Sequence, residues 1–198
     1  MKLYLSSLAM PDVKAYMSLF AKKQPHHIVI IPTAWDAYPA EKSEPFFERT
    51  TKMFENIGFT SEYLDLKDYE GRTGELKSKL QTSSGCWIMG GNSFYLNYWM
   101  FASGFDKILP DLLGQGFVYG GESCGAVVAG KTLHGVELLD NPTDAPDVIW
   151  EGLKLVDYGI IPHWDNQKYA DRLEQAYEEM RLFTPVKTLS DDNFVSVS

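Results

Sequence analysis

Residues 120–130, "GGESCGAVVAG", set two possible nucleophiles side by side, Ser123 and Cys124, among very small neighbours. Gly121, Ser123 and Gly125 satisfy the pattern G-x-S-x-G, which marks a sharp turn from a strand into a helix. The central residue of such a nucleophile elbow is held in a strained backbone conformation, and its neighbours must be tiny for the two elements to pass. The apex side chain is thereby lifted to the edge of a sheet, and the next residue turns its backbone N–H toward a developing oxyanion. On this geometry Ser123 is the nucleophile, and Cys124 is an oxyanion donor whose thiol is buried.

A serine hydroxyl attacks only when a base takes its proton. The chain has 4 histidines. His26 and His27 directly precede an apolar run and are expected to cap or hydrate it, and His134 falls in an irregular stretch and is expected to be exposed. His163, in "IIPHWD", stands at the carboxyl end of an apolar run and is the candidate base. An imidazole base needs a carboxylate to hold its tautomer and stabilise the imidazolium. Glu137, Asp140, Asp165, Asp191 and Asp192 are available. Asp165 is too near His163 in sequence and is expected to point away or cap the helix that follows. Between Asp140 and Asp191 residue chemistry leaves the choice open. In "WIMGGNSFYL", Gly90 and Gly91 allow close backbone approach, so the Gly91 N–H fits a second oxyanion donor. Asn92, next in line, is a helix cap and a candidate substrate-binding residue. This chemistry requires neither metal nor cofactor.

These groups need elements to hold them. Short apolar runs alternate with helical patterns, as in an α/β architecture of mainly parallel strands covered by helices. The strands are expected at 2–7, 27–34, 61–66, 85–91, 116–121 and 157–163. Helices are expected at 11–22, 44–57, 74–81, 94–103, 106–113 and 166–182, with 131–155 irregular because Pro142 and Pro146 rule out long elements. In open parallel sheets, functional groups collect beyond the carboxyl ends of the strands. "GGN", "GESCG" and "PHWD" all lie there.

At 198 residues without an internal repeat, the chain suits one domain over 1–198. With 18 Lys and Arg against 27 Asp and Glu, the net charge is −9 and no basic run tracks a phosphate backbone, which argues against nucleic acid as a partner. Charge or Pro breaks every apolar stretch short of the roughly 20 residues a membrane span needs. The start, "MKLYLSSLAMPDVKAYM", imitates a signal peptide only until Pro11, Asp12 and Lys14 end its apolar run. Cysteine occurs only 2 times, as Cys86 and Cys124, which fits a reducing cytoplasm. The aromatics of "SFYLNYWMF" suit a homodimer interface as readily as a core.

Taken in order, "LYLSS", "IPTAWDAY", "IMGGNSFYL", "GESCGAVVAG", "IIPHWD", "ADRLEQ" and "TLSDDNFVSV" resemble the dipeptidase E (aspartyl dipeptidase) and cyanophycinase family of serine peptidases along nearly the whole chain. The resemblance implies a three-layer sandwich of the class I glutamine amidotransferase-like (flavodoxin-like) kind. It also implies Ser123 as nucleophile, His163 as base, and an oxyanion hole from Gly91 and Cys124. Its acid position falls on Asp191 in "LSDDN", with Asp140 the alternative. The dipeptidases of that family remove an N-terminal aspartate, and the Arg that pairs with its carboxylate falls on Arg172. This chain departs in having Cys124 where the family usually has Ala, and Asp191 where the dipeptidases have the longer Glu. Three rivals stand beside the peptidase reading. One is an α/β-hydrolase esterase, whose histidine falls much further along the chain; another is a thiol-dependent amidohydrolase using Cys124; the third is a catalytically weak relative acting in binding or stress.

Overall fold

The computed structural model describes residues 1–21 and 26–198. In chain order the elements are β1 (Lys2–Ser6), α1 (Val13–Ser18), β2 (His27–Ile31), α2 (Ala40–Asn56), β3 (Thr60–Tyr63), α3 (Thr73–Leu80), β4 (Gly85–Ile88), α4 (Ser93–Ala102), α5 (Phe105–Gly114), β5 (Val118–Glu122), α6 (Cys124–Val127), β6 (Gly159–Ile161), α7 (Ala170–Met180), β7 (Val186–Thr188) and β8 (Phe194–Val197). The first expected helix stops at Ser18, and its last expected residue, Lys22, lies outside the described residues.

The main sheet has the order β3-β2-β4-β5-β1-β8. Every pairing in it is parallel except that of β1 with β8. Successive strand side chains point to opposite faces, so a sheet covered on both sides reads as an unbroken apolar run. In β2, Val29 and Ile31 pack with Leu3, Leu5, Ile88 and the helices α3 to α5. Ile28 and Ile30 face the other way, into Tyr4, Tyr16, Phe54 and Trp87 under α1 and α2. The result is the expected α/β sandwich of helices on a mostly parallel sheet. A third apolar cluster joins Phe94, Val127, Leu133, Ile161, Leu173 and Met180 and seats α7 against α4 and α6.

Three departures from the sequence reading bear on function. The strand expected over 157–163 does not join the main array: β6 pairs in parallel with β7 in a separate two-stranded sheet, in the register Ile161↔Thr188. Helix α2 begins at Ala40 rather than Glu44 and runs through Pro45, which leaves its second turn without one backbone hydrogen bond. Finally, the aromatics of residues 93–101 differ in burial: Phe94 is fully buried and edge-on to Trp150, whereas Tyr95, Tyr98, Trp99 and Phe101 are half-buried.

Candidate active site

Ser123 occupies the junction of β5 and α6 with φ 52° and ψ −116°. A positive φ at a residue with a Cβ costs on the order of 1–3 kcal/mol and persists only where the surroundings impose it. Here the end of β1 imposes it, because the Ser123 N–H donates to the carbonyls of Ser6 (3.0 Å) and Ser7 (3.1 Å). The bend is tight enough that a Cβ on Gly121 would lie 2.5 Å from the Gly125 carbonyl oxygen. The small residues of "GESCG" thus serve the turn that the sequence pattern implies.

The Ser123 hydroxyl is 3.0 Å from His163 Nε2, and His163 Nδ1 is 2.5 Å from Asp191 Oδ1. The geometry of the small sheet explains this second contact. β6 and β7 end side by side, the Leu189 N–H donates to the Ile161 carbonyl at 2.9 Å, and Trp164 N–H donates to the Leu189 carbonyl at 3.0 Å. His163 and Asp191 therefore leave the same edge together, with His163 at φ 59°. Asp165 does not cap α7; its carboxylate accepts the Asp191 N–H at 3.1 Å and so steadies the turn that carries the acid.

Ser7, absent from the sequence reading as a site residue, ties the two sheets together. Its hydroxyl accepts the His163 N–H at 2.7 Å and donates to Asp191 Oδ1 at 2.9 Å. The signal was its position just past the carboxyl end of β1 in "LYLSS". Glu122, the variable residue of the G-x-S-x-G pattern, was also passed over. It is 2% exposed, yet its carboxylate accepts the N–H of Ala9 at 2.6 Å and Arg49 Nη2 at 2.5 Å, together with the Gly90 N–H. Burial raises its pKa above the usual carboxylate range against the opposing pull of Arg49 and the two amides.

The "GGN" loop lies against the hydroxyl: a Cβ on Gly90 would sit 3.3 Å from Ser123 Cβ. Gly91 has φ 137°, and among the described residues neither its N–H nor that of Cys124 has a hydrogen-bond partner. The Cys124 thiol is 1% exposed and donates to the Met89 carbonyl at 3.3 Å. Burial, and after it the charges of Asp140 and Glu122, pushes its pKa well above that of a free thiol, so at neutral pH it is not a thiolate.

Beside Ser123 opens a cavity of about 270 Å³ lined by Tyr38, Asp140, His163, Tyr169 and Arg172 among others. The Arg172 guanidinium lies over the Tyr169 ring at 4.9 Å and, among the described residues, has no carboxylate partner. Asp140 does not approach His163 as an orienting acid. Its carboxylate accepts the Ser93 N–H at 2.8 Å, at the start of α4, while partial burial raises its pKa. Asn92 is likewise committed, against its expected substrate role. Fully buried, it caps α4 by accepting from Phe94 and Tyr95 N–H, and it donates to the Asn141 carbonyl and to Asp144. His134 is not exposed but is stacked between Trp150 (4.5 Å) and Phe183 (3.9 Å).

Comparison with known proteins adds the family. Peptidase family S51 matches residues 5–198. An uncharacterised peptidase of Listeria monocytogenes is 26% identical over 89% of this chain and 84% of its own length. One from Pasteurella multocida is 23% identical over 100% of the chain and 93% of its own. A protein called peptidase E from a Shewanella species is 27% identical over 56% of this chain and 46% of its own length. In three dimensions the fold superposes with a TM-score of 0.83 on the crystal structure of a Listeria monocytogenes protein proposed to be a peptidase E, covering 99% of this chain and 97% of that one at 23% identity. A mostly parallel sheet, a serine on a strained turn at its carboxyl edge and a profile match along almost the entire length agree: the chain belongs to peptidase family S51, a family of serine peptidases.

Proposed function

We propose that this peptidase removes an N-terminal aspartate from dipeptides through an acyl-enzyme on Ser123. The observation that carries the reading is the unbroken chain of contacts from Ser123 Oγ through His163 to Asp191. The Ser123 oxygen attacks the scissile carbonyl as His163 Nε2 takes its proton, and Asp191 holds the imidazole and stabilises its charge. The oxyanion forms where the unpartnered N–H groups of Gly91 and Cys124 can receive it. His163 then returns the proton to the leaving amine, and water attacking by the same route frees the enzyme.

Arg172 supports the choice of aspartate, since an exposed guanidinium lining the cavity beside Ser123, with no carboxylate partner among the described residues, suits the side-chain carboxylate of the substrate. Asp140 lines the same cavity and offers a negative counterpart to an α-ammonium group. The test is steady-state hydrolysis of Asp-Leu, Asn-Leu and Ala-Leu. Ser123→Ala should lower kcat by about 10⁴-fold or more, because the three groups act as a unit. Arg172→Ala should lower kcat/KM for Asp-Leu by about 100-fold, the size of one lost charge-assisted pair, with far less effect on Ala-Leu. Wild-type turnover of all three peptides at equal rates, or an active Ser123→Ala enzyme, would refute the reading.

A further inference from the structure

Ser123 lines two cavities, which also share Tyr38, His163 and Tyr169. The one described above holds Asp140 and Arg172. The other, about 420 Å³, opens on the Gly91 side of the hydroxyl and is lined by Trp35, Tyr38, Lys42, Phe46 and Arg49 among others. Acyl transfer splits its substrate at the serine oxygen: the Oγ–C bond forms, the C–N bond breaks, and the amine departs with the proton carried by His163. A hydroxyl lining two cavities is suited to hold the acyl part in one and the leaving part in the other.

We infer that the second cavity receives the residue after the scissile bond, and that Lys42 binds the free carboxylate of that residue. This rests on the acyl-enzyme reading above. The charge balance of the cavity points the same way. Arg49 is engaged with the buried Glu122, and that pair leaves no net charge to offer. Lys42 is exposed and, among the described residues, pairs with no carboxylate, so it is the uncompensated charge at this end. Glu122, the acidic residue of this wall, already accepts from Arg49, Ala9 and Gly90, leaving a substrate carboxylate as the missing partner of Lys42. The remaining wall is aromatic: the Trp35 and Phe46 rings stack at 4.5 Å, and Leu8 stands at the rim. An apolar or aromatic side chain is therefore favoured after the aspartate. A cation at each of the two cavities would then measure the substrate, Arg172 from its side-chain carboxylate and Lys42 from its end, selecting dipeptides over longer chains.

The experiment compares Asp-Phe, Asp-Phe-amide and Asp-p-nitroanilide as substrates of the wild type, Lys42→Met and Lys42→Arg. The wild type should prefer the free acid over the amide by about 10-fold in kcat/KM, the worth of a partly solvated charge pair. In Lys42→Met that ratio should fall to near one, and Lys42→Arg should restore most of it. A ratio near one in the wild type, or an unchanged ratio in Lys42→Met, overturns the assignment while turnover of the anilide leaves the acyl-enzyme reading standing. Failure of the wild type to hydrolyse any of the three overturns that reading, and the Lys42 assignment with it.

Discussion

At the scale of single residues, two adjacent side chains with similar sequence credentials have opposite fates. Ser123 meets a base, whereas Cys124 points into the protein and is kept protonated by burial. Cys124→Ala should therefore retain activity within a few-fold, and iodoacetamide should leave the folded enzyme active; rapid inactivation matched to loss of one thiol would contradict this. Asp140 gives a second prediction, with its sign set by its environment. Its folded pKa is raised, so its contribution to stability is fully present below the ordinary carboxylate value of 3.8 and is lost as pH rises through the folded value. Asp140→Asn can keep the Ser93 N–H bond without the buried charge. The variant should be more stable than the wild type at pH 7, each kcal/mol appearing as about 2–4 °C in Tm for a chain of this size, and the gap should close toward pH 4. Thermal melts across that range measure it, and the variant should bind an N-terminal ammonium less well.

At the scale of elements, the carboxylate of Glu122 holds three segments around the nucleophile: the loop after β1 at Ala9, the "GGN" loop at Gly90, and α2 at Arg49. Removing it leaves a partly buried guanidinium and two amides without their acceptor. Glu122→Ala should cost about 3–5 kcal/mol in urea unfolding, as when one partner of a buried pair is deleted. Glu122→Gln, which keeps one acceptor, should cost clearly less. The elements also explain what could be read in advance. The alternation of β-branched runs with amphipathic helices was enough for the five parallel strands of the main sheet and for the turn at Ser123, because both are dictated by local patterning, but not for the antiparallel β8 or for the separation of β6 from that sheet. Asp191 could not be chosen over Asp140 on residue chemistry, because its contact with His163 arises from β6 pairing with β7, a three-residue parallel contact with no periodic signature. Lys42 escaped notice for another local reason: Pro45 reads as a boundary, and the helical turn before it is the one that carries the lysine to the site.

At the scale of the whole molecule, the site spans a seam between a large sheet that carries Ser123 and a small one that carries His163 and Asp191. The turn from β7 to β8 crosses that seam, with the Ser7 N–H donating to the Asn193 carbonyl at 3.2 Å and Phe194 stacked on Tyr4 at 4.8 Å. Phe194→Ala should lower stability by about 2 kcal/mol, less than for a fully buried ring, and should depress kcat as the acid loosens. Equal losses in a distant core variant such as Leu76→Ala would argue that the effect on kcat is global. No helix among the described residues is long and apolar enough to cross a membrane.

The hydroxyl of Ser7 has a further consequence for truncated chains. It joins the segment after β1 to one near residue 191, some 184 positions later, with the imidazole held between them. The pairing of β1 with β5 and the bend at residue 123 use nothing beyond residue 127, whereas the Ser7, His163 and Asp191 groups come together only in a chain that reaches residue 191. A chain truncated before residue 191 should therefore keep the nucleophile and its turn yet hydrolyse no peptide, since its imidazole has no carboxylate to hold it.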